Sequence, residues 1–393
     1  MKKGLLLIVI YLAFISLGLP DSLLGPAWPT MYIDLNVPLH FAGIISMIVA
    51  GGTVISSLFS ASLINRFGVA SITIFSVLMT ALALLGFSYS QLFIFLCLLA
   101  VPLGLGAGCV DAALNNYVAL HYKAKHMNWL HCFWGVGAAI GPMIMARYLA
   151  LGKSWNDGYH TVGWVQIGLI MILLISFPLW IRKTKGQHVE DGSEIKTSFK
   201  KMLGIQGFKS ALVVFFCYCA IEATFGLWGA SYLVLARNFE PDDAARLVSI
   251  YYIGITLGRF ISGFMTEKFN NRQLVYLGQG GIVIGLVILF LPFKVSLMPG
   301  FFLVGLGCAP IFPSLLHETP RNFGEKYSQA VMGMQMASAY IGITLMPLLF
   351  GKLASYFTYS SLLWFMGALL ALKIYMTHDL NSKVLIRRAS ADR

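Results

Sequence analysis

Three carboxylic acids, Asp21, Asp111 and Glu222, stand in stretches that otherwise carry no acidic residue and almost no charge. Desolvation penalises the ionised form of a carboxyl group. An acid in such surroundings is therefore suited to taking up a proton and giving it back. Asn115 follows Asp111 by four residues, so on a helix the two project from one face. A carboxylate beside an amide offers acceptors and donors to neighbouring hydroxyl groups, and Asn116 and Gln335 add amides of the same kind. His131 has a side chain that titrates near neutrality and could relay protons. Trp134, Trp228 and Tyr232 could stack on a sugar ring, each with an apolar face and a polar edge. Each residue also has a plainer reading. The acids could form a buried ion pair with Arg259, and the histidine could simply pack. The amides could join helices, and the aromatics could sit in interfacial belts. This is chemistry of binding and proton carriage. No nucleophile–base pair and no metal-ligand cluster is legible, so neither an enzyme nor a cofactor or metal site is expected.

The elements that hold these residues follow from composition. Of 393 residues, 58% are hydrophobic and 11% charged, against about 25% charged in a soluble protein. Apolar stretches of roughly 20 residues, the length that crosses a bilayer, alternate with short polar bursts. In lipid each such stretch must satisfy its own backbone, so it must be a helix. A soluble enzyme is excluded. The expected helices cover residues 4–32, 41–65, 69–89, 91–121, 127–151 and 159–181, then 209–237, 247–266, 274–293, 298–316, 327–357 and 361–376. The fold class is all-α and membrane-embedded: residues 1–181 form one six-helix bundle and 209–376 a second. A polar linker, 182–208, joins them, and a tail runs over 377–393. The first helix follows Lys2 and Lys3 like a signal peptide, but without a small-residue cleavage site it reads as a mature helix. Pro20, Pro26 and Pro29 should kink it beside Asp21. All six cysteines fall in apolar segments and read as small apolar filler.

Asp21, Asp111 and Glu222 each lie near the middle of an expected helix. A charge at the bilayer centre costs at least ~2.5–3.5 kcal/mol, so such residues usually face a water-filled path. The net charge of +12 is distributed by loop. Placing the N-terminus inside leaves only Arg147, Lys153, Arg237, Arg246, Lys294 and Lys352 outside, with Arg259 inside helix 8. All other Lys and Arg, Lys373 included, then fall on the cytoplasmic side. That bias puts both ends in the cytoplasm of a cell inner membrane and marks topology, not nucleic-acid binding.

The two bundles repeat. Asn65-Arg66-Phe67-Gly68 after helix 2 returns as Glu267-Lys268-Phe269-Asn270 after helix 8, and Gly104-Leu105-Gly106 returns as Gly305-Leu306-Gly307. Offsets of about half the chain indicate parallel repeats about an axis along the membrane normal, with a binding site between them near mid-membrane.

Several of these stretches resemble a known family. Cys109-Val110-Asp111-Ala112-Ala113-Leu114-Asn115 resembles the Cys-Leu-Glu-Thr-Ala-Ala-Asn stretch of the fucose–galactose–glucose:proton symporter family of the major facilitator superfamily. Asp21-Ser22-Leu23-Leu24 and Gly307-Cys308-Ala309-Pro310-Ile311-Phe312-Pro313 fit the same pattern. The resemblance covers essentially the whole chain. It implies a central sugar cavity with Asp21 and Asp111 in coupling and recognition. The chain departs from the pattern at Asp111 (Glu in the family), Asn116 (Pro), His131 (Gln) and Trp134 (Asn), which points away from fucose itself. Gly263 with Glu267-Lys268 matches the superfamily's gating motif, and Asn65-Arg66 is a weaker copy.

The expectation is a secondary active transporter: proton-coupled symport of a sugar or similar small polar solute by a monomer in a lipid bilayer. Sodium in place of the proton and efflux of amphipathic drugs are the rival readings. A non-transporting sensor would need a soluble domain larger than the linker or tail.

Overall fold

The computed structural model describes residues 2–122, 124–180 and 202–391; most of the expected linker lies outside them. The helices are α1 (Lys2–Asp21), α2 (Leu24–Asp34), α3 (Ala42–Phe67), α4 (Val69–Tyr89), α5 (Phe93–His121), α6 (Ala124–Ala150) and α7 (Trp155–Ser176). Then come α8 (Phe208–Arg237), α9 (Pro241–Met265), α10 (Asn271–Phe290), α11 (Leu297–Cys308), α12 (Ile311–Phe323), α13 (Glu325–Tyr356) and α14 (Leu362–Ala391). Among the described residues, twelve spans are long and apolar enough to cross a membrane. α1 with α2 makes one of them, and α11 with α12 another.

Both breaks lie where proline removes a backbone donor. Pro26 leaves the Ser22 carbonyl without its helical partner. In the same turn the Ser22 hydroxyl donates to the Gly18 and Leu19 carbonyls, at 3.3 and 3.2 Å. The predicted kink is thus a full break, with Asp21 as the last residue of α1. Pro310 similarly separates α11 from α12. Elsewhere helices end on ordinary signals. Gly68, at φ +82°, turns the chain from α3 into α4, and capping boxes start α7 (Ser154 with Asp157) and α10 (Asn270 with Gln273).

Within each half, glycine lets equivalent helices touch backbone to backbone. A Cβ on Gly104 would collide with the Val49 carbonyl of α3, and one on Gly305 with the Tyr251 carbonyl of α9. The repeat read in the sequence is therefore one packing solution used twice.

Across the halves, α2 meets α8, α3 meets α13 and α6 meets α9. Gly25 lies against Gly226 and Leu227, Gly43 against Leu348, and Gly135 against Thr256; the Ser249 hydroxyl donates to the Ala139 carbonyl at 2.7 Å. The contacts of Gly25, Gly43 and Ser249 lie in the membrane half away from the chain ends and that of Gly135 near mid-depth, so the space between the bundles opens toward the side carrying the N-terminus.

One expectation needs correction. Lys373, counted above with the cytoplasmic cations, is fully buried within the second bundle, and α14 runs on to Ala391 without a break. Its Nζ has no hydrogen-bond partner among the described residues, and neither has the buried Gln279 Oε1. A buried polar group without a partner costs ~1–3 kcal/mol in protein mutational data. Lys373→Met, similar in length and apolar, is therefore expected to raise thermal stability by that order in a detergent melt. A fall in stability would mean that the amine is paired.

Candidate functional site

Asp21 is exposed although it lies at mid-membrane, because the break after α1 turns it into the space between the bundles. Its Oδ2 accepts the Trp134 indole N–H at 2.9 Å, from α6. α1 comes close enough for this because Gly18 and Gly137 have no side chains: a Cβ on either would strike the facing backbone of α6 or α1. Asp111, on α5, is partly buried, and its Oδ1 accepts the Asn115 amide at 2.9 Å. The i, i+4 pairing expected from the sequence is thus present as a bond. Asp21 and Asp111 are within electrostatic reach of each other. His131 is exposed on α6, edge-on to Phe14 with ring centroids 6.0 Å apart, and Asn116 is exposed on α5.

The second bundle supplies Glu222 from α8 and Arg259 from α9. They form an ion pair at 3.5 Å, each about one-fifth exposed or less. The Tyr218 hydroxyl donates to Glu222 and stands close to Arg259. The Arg259 guanidinium lies over the Trp134 ring, 5.0 Å from its centroid. On the other side Tyr340 of α13 stands near Ser57 of α3 and within electrostatic reach of Asp111. Asp21, Asp111, Asn115, His131 and Trp134 thus face Glu222, Arg259 and Tyr340 across the gap between the bundles. Glu222 is the acid that takes Arg259, and neither Asp21 nor Asp111 has an ion-pair partner among the described residues.

Three expected substrate contacts lie elsewhere. Trp228 is fully buried, donates to the Pro347 carbonyl at 2.8 Å and packs among Phe350 and Tyr359. Tyr232 is buried and accepts from Arg237 at 3.0 Å. Gln335 is buried, its Oε1 accepting from Thr319 at 2.9 Å. Each side chain already spends its polar edge on its own bundle, so we correct their assignment from ligand contacts to packing.

The gating residues also divide. Glu267 and Lys268 are exposed in the turn after α9, and neither makes an ion pair among the described residues. Gly263 is exposed on α9, and Asn65 and Arg66 are exposed at the end of α3, with Arg66 over the Phe67 ring. The charged staple at this end of the second bundle is Arg272. It bonds Glu318 at 3.2 Å and Asn322 at 3.2 Å, tying α10 to α12. Sequence reasoning missed it, although Arg272 opens α10 within a few residues of the motif.

The Major Facilitator Superfamily pattern matches residues 10–246 and 211–377. The chain is 22% identical over 269 residues to a glucose/mannose transporter of Bacillus subtilis, an overlap that spans 65% of each protein. It is 22% identical to a cis,cis-muconate transport protein of Acinetobacter baylyi, over 88% of this chain and 86% of that one. An Escherichia coli fucose:proton symporter superposes with a TM-score of 0.63 at 15% identity, over 96% of this chain and 98% of that one. The breaks, the paired bundles and these likenesses agree: the chain belongs to the Major Facilitator Superfamily.

Proposed function

We propose that this protein imports a neutral sugar or a similar polyol together with a proton, by alternating access between its two halves. The observation that carries this reading is the charge inventory of the central gap. Asp111 with Asn115 presents paired acceptors and donors to hydroxyl groups, while the one nearby arginine is engaged by Glu222. Two acids with no ion-pair partner among the described residues favour a neutral solute over a dicarboxylate, although a muconate carrier is among the relatives. Asp21 carries the proton, with both chain ends in the cytoplasm on the charge bias of the loops, and the single chain is the transporting unit. In that orientation the arrangement described above opens to the cytoplasm.

The test is uptake by purified protein in proteoliposomes, against a panel of hexoses, pentoses, muconate and cationic dyes. A pH gradient and a sodium gradient are imposed in turn. We expect accumulation of a sugar, driven by the pH gradient alone. Muconate or dye movement without sugar movement would overturn the reading. On the substrate so found, Asp111→Asn keeps the size of the side chain and removes its charge-assisted bonds. Affinity is expected to fall by about 10- to 150-fold, the equivalent of ~1.5–3 kcal/mol. Wild-type affinity in a folded variant would leave Asp111 a structural role only.

A further inference from the structure

Trp134 touches charged groups that belong to different halves of the molecule. Its indole N–H donates to Asp21 of the first bundle, and its ring face carries Arg259 of the second. Arg259 is held in turn by Glu222, which also accepts the Tyr218 hydroxyl. A bond to an ionised acceptor is stronger than one to a neutral acceptor. Linked polar contacts reinforce each other in a low dielectric. An ionised Asp21 draws on the indole proton, which enriches the ring face on which the guanidinium rests, and it adds its own attraction for the cation. A proton on Asp21 weakens all of these together.

We propose that Trp134 is a positioning residue that transmits the charge state of Asp21 to Arg259, so that the seam between α6 and α9 is held while Asp21 is ionised and loosened once Asp21 is protonated. The inference rests on the reading of Asp21 as the proton carrier. By linkage, an arrangement that prefers ionised Asp21 is the one from which the proton departs. That is the arrangement described here, closed away from the chain ends. The other titratable or charged groups facing this link are Asp111 from α5, His131 from α6, Tyr252 and Arg259 from α9, and Glu222 and Tyr218 from α8. None of these groups bonds Asp21 and also lies against Arg259 among the described residues, as Trp134 does.

The test reads the seam and not the transport rate. Spin labels are placed at two exposed positions at the closed end, Lys153 in the first half and Val295 in the second. Their separation is followed by pulsed electron resonance in lipid nanodiscs, without substrate, through an acid-to-alkaline titration. Wild type is expected to move from an open toward a closed population as pH rises, and Asp21→Asn to stay in the acid population throughout. Trp134→Phe keeps a ring for Arg259 but has no N–H. It should lower the closed-to-open ratio at alkaline pH by roughly tenfold, the size of one charge-assisted bond. Arg259→Lys keeps the charge and loses the planar stack, and should cause a similar loss. Combining it with Trp134→Phe should add little, as for two members of one link. Asp111→Asn and His131→Gln backgrounds should retain the dependence on Trp134. A wild type that does not respond to pH would remove the proton-carrier reading of Asp21. A responsive wild type with Trp134→Phe and Arg259→Lys titrating like it would overturn this inference alone.

Discussion

Asp21→Asn in proteoliposomes is expected to abolish accumulation of substrate against its gradient, while exchange of labelled for unlabelled substrate continues. The asparagine keeps the shape of the carboxyl and can still accept the Trp134 N–H, so the break after α1 and the packing of α1 on α6 survive. What it cannot do is load and unload a proton. Movement of the loaded carrier then proceeds, but the pH gradient no longer biases its direction. The loss should be complete for concentrative uptake, since no residual fraction of an amide titrates in the working range. Exchange should stay within a few-fold of wild type, and its loss alongside accumulation would assign Asp21 to substrate binding or folding instead. Unchanged accumulation would remove Asp21 from coupling altogether.

The second large effect is steric. A Cβ at Gly25 would fall on the Gly226 carbonyl and stand 2.9 Å from the Leu227 carbonyl and 3.1 Å from the Leu227 Cα, all backbone atoms that cannot swing aside. α2 and α8 belong to opposite halves, so the clash exists only while this end is shut. Overpacking a tight contact costs about 1–3 kcal/mol, which corresponds to roughly 5- to 150-fold in the closed population. Gly25→Ala is expected to slow both uptake and exchange by that factor, and Gly25→Val to stop them, with each variant still folded. Gly51→Ala is the control, because an added Cβ there meets nothing within 4 Å. Wild-type transport by Gly25→Val would show that the end need not close so tightly during the cycle.

Much of this architecture was legible before any coordinates. Hydropathy alone delimits the spans, since a bilayer tolerates only helices of sufficient apolar length. The depth of Asp21 and Asp111, and the one-face pairing of Asp111 with Asn115, follow from position and the helical repeat. What was not legible depends on which way a helix faces. Trp134 and Trp228 are both tryptophans at membrane depth. One lines the gap and the other is buried in its bundle, and in an all-apolar span no polar stripe distinguishes the two faces. The bond from Trp134 to Asp21 joins residues far apart in sequence, so no local spacing announces it; that an acid could pair with Arg259 was legible from charge, but not that the acid is Glu222. Lys373 was misplaced for a related reason: a lysine near the end of an apolar run ordinarily snorkels to the interface. The helix here continues beyond it to Ala391 and carries it inside.

The seam between the halves has a consequence for how the protein responds to heat. Its contacts are glycine against backbone at Gly25 and Gly43 and glycine against the Thr256 side chain at Gly135, with few polar links across it among the described residues. Parting such a surface strands few hydrogen-bonding groups, and its cost is mainly the hydration of apolar area. Apolar hydration carries a large heat-capacity change. The opening step therefore has an enthalpy that varies with temperature, and the turnover of this carrier should bend on an Arrhenius plot as the folding of a water-soluble core does.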